Sequence, residues 1–262
     1  MKIPGMLRLA AAAGLLGLGA CSKDGTSPAT LVDQTTLTTD VASSAGDAIA
    51  LDVSALALNE TAVLLTSPAE TAPTSIAGDS IVWTRSRTCF DSTGTTVSCL
   101  PLANVRQVVT HWSFTGVRND TAENGAVFSG NFSRVADDTL FRHFTSGAET
   151  SRTHDGVAVG FDTSSFVGPN VTRIYQEAGS DSVDAVTWNV PRFNNPFPIS
   201  GKVVRNVSLH ATFQNATRSS TTDVTKRIEV DFPADAQGNV VLKIDNRTCN
   251  LNLVTRRVSN CQ

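Results

Sequence analysis

Two hydrophobic periods divide this chain. From about Thr38 to Leu58, Val41, Ala45, Ala48, Ile49, Asp52, Ala55 and Leu56 recur near helical spacing, which predicts one helix with Thr39 or Asp40 capping its start. Its face is rich in alanine, as suits close packing on a sheet or another helix. Residues 66–80, with Pro68, Pro73 and Gly78, break the pattern and read as a linker or long connection. Beyond Ile81 the period falls to two. Val224, Ile228, Val230 and Phe232 share one strand face with the stem of Lys226, against Thr225, Arg227, Glu229 and Asp231 on the other. Val203, Val207, Leu209, Ala211 and Phe213 repeat that alternation, the pattern of antiparallel sheets with one dry face and one wet face.

Turn chemistry punctuates the β region at Asn124-Gly125, Asp137-Asp138, Ser146-Gly147, Gly179-Ser180, Asp235 to Asn239 and Asp245-Asn246, which predicts roughly ten strands. No helical segment separates them, so crossovers for a parallel sheet are missing. The expectation is a mainly β chain: a large curved antiparallel sheet or open barrel in meander order over 81–262. The single helix of segment 38–80 would lie against the sheet or across its mouth. A two-sheet sandwich is the alternative.

The first residues carry a different signal. Lys2 and Arg8 precede an uncharged run from Leu9 to Gly19, a positive region followed by an apolar one too short to span a bilayer. The run ends in Leu18-Gly19-Ala20-Cys21, which resembles the lipobox of bacterial lipoproteins. That resemblance implies removal of residues 1–20 as a signal peptide and lipidation of Cys21. It also implies a flexible tether over 21–37 and a body held at the cell envelope. Ser22 after the cysteine leans the resemblance towards the outer membrane. Several acyl chains on one cysteine make a stable membrane anchor.

Loss of that segment would leave 19 Lys and Arg against 24 Asp and Glu. Such a mildly acidic chain with scattered basic residues lacks the electrostatic footprint of a nucleic-acid partner. One Tyr and three Trp are too few for the aromatic girdles of a transmembrane barrel. Four further cysteines, Cys89, Cys99, Cys249 and Cys261, would lie in a compartment where disulfides persist. Of the three possible connectivities, the local one, Cys89 with Cys99 and Cys249 with Cys261, has the simplest geometry. Asp91-Ser92-Thr93-Gly94 supplies a turn inside the first pair. Thr255, midway between the second pair, sits in poor turn chemistry, so that bridge would pin a returning carboxyl-terminal tail.

Candidate chemistry is sparse. Gly78-Asp79-Ser80-Ile81 resembles the opening of the nucleophile block in GDSL-type lipases and esterases, yet no Asp stands three residues before His111, His143, His154 or His210. A serine without a base in reach is no nucleophile. His143 and His154 are placed to meet across adjacent strands, two ligands without a third. Asp137-Asp138 and Asp181 with Asp184 read as solvated turn acids. Trp83, Trp112 and Trp188 read as core, with Arg85 or Arg87 available to stack on Trp83. The Pro191 to Pro198 segment, carrying Phe193 and Phe197, is the one candidate for an exposed contact loop. These readings point to no metal, no cofactor and no catalytic set. The expectation is a membrane-anchored, non-catalytic binding or carrier module for a small apolar ligand or an envelope protein. Its plan resembles lipocalin-like carriers and half-barrel lipoprotein chaperones. The alternatives are a structural or assembly protein of the outer membrane, and a hydrolase with dispersed residues.

Overall fold

A computed structural model of the chain describes residues 34–62, 69–76, 79–121, 127–168, 170–192 and 196–262. Cys21, Phe193 and the predicted Asn124-Gly125 turn lie outside these residues. One helix, α1 (Gln34–Ala62), precedes twelve strands: β1 (Ala69–Ile76), β2 (Asp79–Phe90), β3 (Thr96–Val97), β4 (Gln107–Thr121), β5 (Val127–Thr145), β6 (Ala148–Val167), β7 (Thr172–Asn189), β8 (Ser200–Gln214), β9 (Ser219–Asp231), β10 (Asn239–Ile244), β11 (Arg247–Asn252) and β12 (Arg257–Ser259). They form one antiparallel sheet in which each strand pairs with the next, save that β3 hangs off β2 while β2 pairs with β4. The meander is the one the missing crossovers predict.

The sheet curls around α1. Leu51 packs with Ile81, Phe114 and Phe132 on β2, β4 and β5. Leu37, Val41, Ala45 and Ile49 join a larger core built from β4 and from β7 through β11. A Cβ on Gly46 would stand 2.4 Å from the Val258 side chain of β12, so the helix and the last strand touch through a bare glycine. From Ala48 to Val53 every residue of the helix is buried. A helix apolar on all sides belongs inside a core, and alanine gives this one both high helix propensity and a slim profile.

Several expectations are corrected. The helix lies against the apolar face of the sheet, within its curl, but it begins by Gln34, which puts Asp40 inside it and not at its cap. The expected connection over 66–80 contains β1, paired with β2 along Ala69 to Ile76. Asp137-Asp138 and Gly179-Ser180 are mid-strand in β5 and β7; the true turns are Ser146-Gly147, Asp235 to Asn239 and Asp245-Asn246. Asp79 and Ser80 open a strand, β2.

Both local disulfides form, Cys89–Cys99 and Cys249–Cys261. The second pins the tail, since Gln262 exchanges backbone hydrogen bonds with Thr248. The β11–β12 turn gets its chemistry from Asn252, whose side-chain Oδ1 accepts from the backbone N–H groups of Val254 and Thr255. No helix among the described residues is long and apolar enough to cross a membrane.

Candidate functional site

The sheet's alternation places charged side chains indoors. Along β7, Tyr175, Glu177, Gly179, Asp181 and Val183 point to the helix, while the residues between them face solvent. Arg134 on β5, Asp162 on β6 and Arg205 on β8 share that inner face, each at most 4% exposed. Two glycines make room for the arginines. A Cβ on Gly160 would stand 2.9 Å from Arg134 Cγ, and one on Gly179 only 2.3 Å from Arg205 Nη2. Gly160 and Gly179 are cross-strand partners, so two adjacent slots bring the guanidinium groups from β5 and β8 to the same carboxylates.

Asp181 Oδ2 accepts from Arg205 Nη1 at 2.6 Å and from Arg134 Nη1 at 2.8 Å. Arg205 Nη2 also donates to Glu177 Oε1 at 2.7 Å and Asp162 Oδ2 at 3.2 Å. The helix completes the cluster: Asp52 accepts from Arg134 Nη1 at 3.1 and 3.2 Å, and Ser44 Oγ donates to Glu177 Oε2 at 2.9 Å. Four carboxyl groups thus surround two cations in a dry interior. Burial pushes the Asp52 carboxyl up to about 7; Asp181 and Asp162 add to the rise, against Arg134 and Arg205. Burial lowers the Arg205 guanidinium, but Asp181, Glu177 and Asp162 outweigh it and hold the group above its ordinary value.

A second tie fixes the start of the helix. The Tyr175 hydroxyl donates to Asp40 Oδ2, and Arg173 Nε lies 2.6 Å from the same oxygen. Burial raises the Asp40 carboxyl despite these partners. Twelve helical residues from Asp40 to Asp52 rise about 18 Å, and six strand residues from Tyr175 to Asp181 rise about 20 Å. The helix therefore runs alongside β7 and shares its direction, with a polar tie at each end of that span. A third tie, Arg256 Nε to Asp47 Oδ1 at 3.2 Å, comes from the β11–β12 turn.

The remaining candidates divide between core and surface. His154 and Asp138 form a buried pair at 2.9 Å, with the His154 ring edge-on to Trp188 at 5.3 Å. His143 faces outward and hydrogen-bonds Thr153, so His143 and His154 occupy opposite faces and do not meet. Trp112 and Trp188 are buried, and Arg85 stacks over Trp83 at 5.1 Å. Asp181 and Asp138, read from sequence as turn acids, are interior; Asp184 is exposed and pairs with Lys202. Phe197 is half-buried, its ring so close over Gly238 that a Cβ there would stand 2.6 Å away. It packs against the core and is not a free contact.

On the outer face His111 bonds Asp137 at 2.7 Å, and Ser86 stands opposite His111 on β2. No hydrogen bond joins Ser86 to His111 among the described residues, so the row lacks the nucleophile–base contact that acyl transfer needs. Beside this row, Val135, Val157, Val159 and Phe161 on β5 and β6 are 41–59% exposed. Cross-strand pairing sets Val135 opposite Val159 and Ser133 opposite Phe161. Among the described residues no three His, Cys, Asp or Glu side chains are placed to hold a metal ion.

Comparisons with family models, curated proteins and solved structures find no match to this chain. A cavity of about 20 Å³ beside Asp52, Leu56, Trp112 and Val183 has room for about one water.

The sequence carried a signal for the charge cluster that period-two reading passed over. Arg205 sits at an inward position between Val203 and Val207, and Glu177-Ala178-Gly179-Ser180-Asp181 sets two acids and a glycine on one strand face. A charge in phase with the dry face has to be indoors.

Proposed function

We propose that this protein is a lipid-anchored envelope protein, attached through Cys21, whose β body is a non-catalytic interaction or assembly module acting through its outer surface. The observation that carries this reading is the occupied interior. A carrier of small apolar ligands needs a pocket of roughly 300–1,000 Å³; among the described residues α1 fills the curl of the sheet, and the cavity beside Asp52 measures about 20 Å³. Two disulfides are compatible with an extracytoplasmic location. The polar convex face with its apolar stripe at Val135, Val157, Val159 and Phe161 supplies contact surface. The lipobox resemblance supports the anchor and an outer-membrane address.

Native mass spectrometry of a soluble Cys21→Ser protein starting at residue 21, folded in an oxidising periplasm, tests the module reading. The expected mass is the bare polypeptide less four hydrogens, unchanged when the protein is unfolded gently. A lipid-sized adduct that leaves on unfolding would restore the carrier. The anchor has its own readout: metabolic labelling of the full chain with a fatty acid, expected to mark wild type and not Cys21→Ser.

A further inference from the structure

Strand β6 turns alternate side chains outward from Val157 to Val167, and four of these, Val157, Val159, Phe161 and Val167, are apolar and 51–59% exposed. Apolar neighbours flank them: Val135 of β5 stands opposite Val159, Ala178 of β7 opposite Phe161, and Ile174 of β7 opposite Ser165. The other outward positions paired along this stretch are Ser, Thr, Asn or Gln. The one charge among the described positions is Asp137, at the Val157 end and bonded to His111. The same outer face is dressed differently on β9 and β10, where Arg227, Glu229, Asp231 and Lys243 form ion pairs. An uncharged apolar stripe on a sheet that elsewhere carries charge outward marks an interaction surface.

We propose that this stripe is where a second copy of the chain docks, β6 against β6, about a two-fold axis beside Phe161. The proposal rests on the reading that the outer surface is the working one, and it names the partner. Three strands about 4.8 Å apart and six rows about 6.8 Å apart make a face of about 600 Å². Two copies would cover about 1,200 Å² together, the lower end of the range for stable, specific interfaces. The stripe runs along the strands, so the curl of the sheet around α1 falls away on either side and does not hold the two stripes apart. The chain has more acidic than basic residues, which opposes approach through charged faces. A two-fold axis at the midpoint of the stripe sets the two Asp137 side chains about 34 Å apart along the strands, well beyond the screening length at physiological salt. The same operation lays Val157 near the partner's Val167, apolar on apolar, as a self-complementary patch requires.

Phe161 is the position that tests the axis. It lies one residue from the midpoint of the stripe, so its two copies stand about 7 Å apart along the strands. In Phe161→Lys two cations would meet across the interface, and in Phe161→Glu two anions, and like charges so placed exclude a partner. Mixing the two variants sets a cation against an anion and restores attraction.

Sedimentation velocity of the soluble Cys21→Ser protein across the micromolar range tests this. The average mass should climb from one chain to two as concentration rises. Phe161→Lys and Phe161→Glu, made in that protein, should each raise the dissociation constant at least about a hundredfold with the melting temperature level, and their equimolar mixture should return to the dimer. A parent protein that stays monomeric, a dimer that survives both substitutions, or a mixture that stays monomeric would each overturn the proposal. So would a monomer that binds vesicles of phosphatidylethanolamine and phosphatidylglycerol through Phe161, which would give the stripe to the lipid surface. Should a Phe161 variant fail to fold, the concentration dependence of the parent and its weakening in Val159→Ser still decide the matter. A bare monomer in native mass spectrometry would remove the second copy and leave the outer-surface reading standing; a lipid-sized adduct on a monomer would remove both.

Discussion

Glycine 179 owes its place to the guanidinium beside it, and not to backbone conformation. Gly179→Ala puts a methyl 2.3 Å from Arg205 Nη2, and overpacking of this kind costs about 1–3 kcal/mol. The expected result is a lower melting temperature with β6 to β8 losing exchange protection first; an unchanged melting temperature would mean Arg205 has another rotamer open to it. A glycine between two acids on a strand was present in the sequence, but reading it as a turn hid its use. The same error turned Asp138 outward. Local turn propensity competes with strand pairing on both sides, and in β5 and β7 the pairing wins. Glu149, shifted in the opposite direction to Asp52, offers a pH test. Burial would raise its carboxyl, but hydrogen bonds from Arg142 and Arg152 outweigh this and hold it at about 2 against an ordinary 4.5. Its contribution is complete above pH 4.5 and is lost as pH falls from there to about 2. Arg142 also donates to the carbonyls of Leu102 and Val105. In acid, chemical-shift changes in the β5–β6 hairpin should thus be accompanied by changes around Leu102 to Val105, and Glu149→Gln should produce both at neutral pH.

Among the elements, α1 and β12 depend on each other. The last strand has three residues and pairs only with β11, too short to persist without help. It gains that help from Gly46, from the Arg256–Asp47 pair and from the Cys249–Cys261 bridge. Replacing both cysteines by serine opens a loop of twelve residues and should cost about 3 kcal/mol, read as a lower denaturant midpoint. Gly46→Val should also free β12, since the added side chain occupies the place of Val258. Exchange at Val258 should rise in both variants while β5 to β7 stay protected; retained protection at Val258 would show that β11 alone holds the strand. The element types were legible because their periods are long and clean, and because Cys249 and Cys261 are close in sequence. The β11–β12 turn was illegible at Thr255 because its chemistry sits upstream, in Asn252. β1 was illegible because its proline, Pro73, and its small polar residues carry no alternation, and only pairing with β2 makes it a strand.

At the scale of the whole molecule, the sheet and the helix are one core. The period-two pattern predicts a dry face, and the alanine-rich segment predicts something slim to cover it. Neither says how far the sheet curls, because curvature accumulates from twist and bulges over many strands. Here it carries the contacts of α1 from Ile81 on β2 to Val258 on β12. Removing residues 34–62 would strip cover from Trp112, Tyr175, Trp188, Val207, Leu242 and Leu251 together. It would also leave Arg134 and Arg205 with three acids in an open, wettable trough. Each buried large side chain contributes about 1.5–3 kcal/mol, so uncovering these six costs as much as the about 5–15 kcal/mol that holds a domain folded. The deletion protein should therefore lack near-ultraviolet circular dichroism and cooperative unfolding, while keeping some strand signal. A deletion protein that unfolds cooperatively would instead make α1 a removable plug and the sheet a vessel. The interior would then be the working surface, and the role assigned to the convex face would fall with that result.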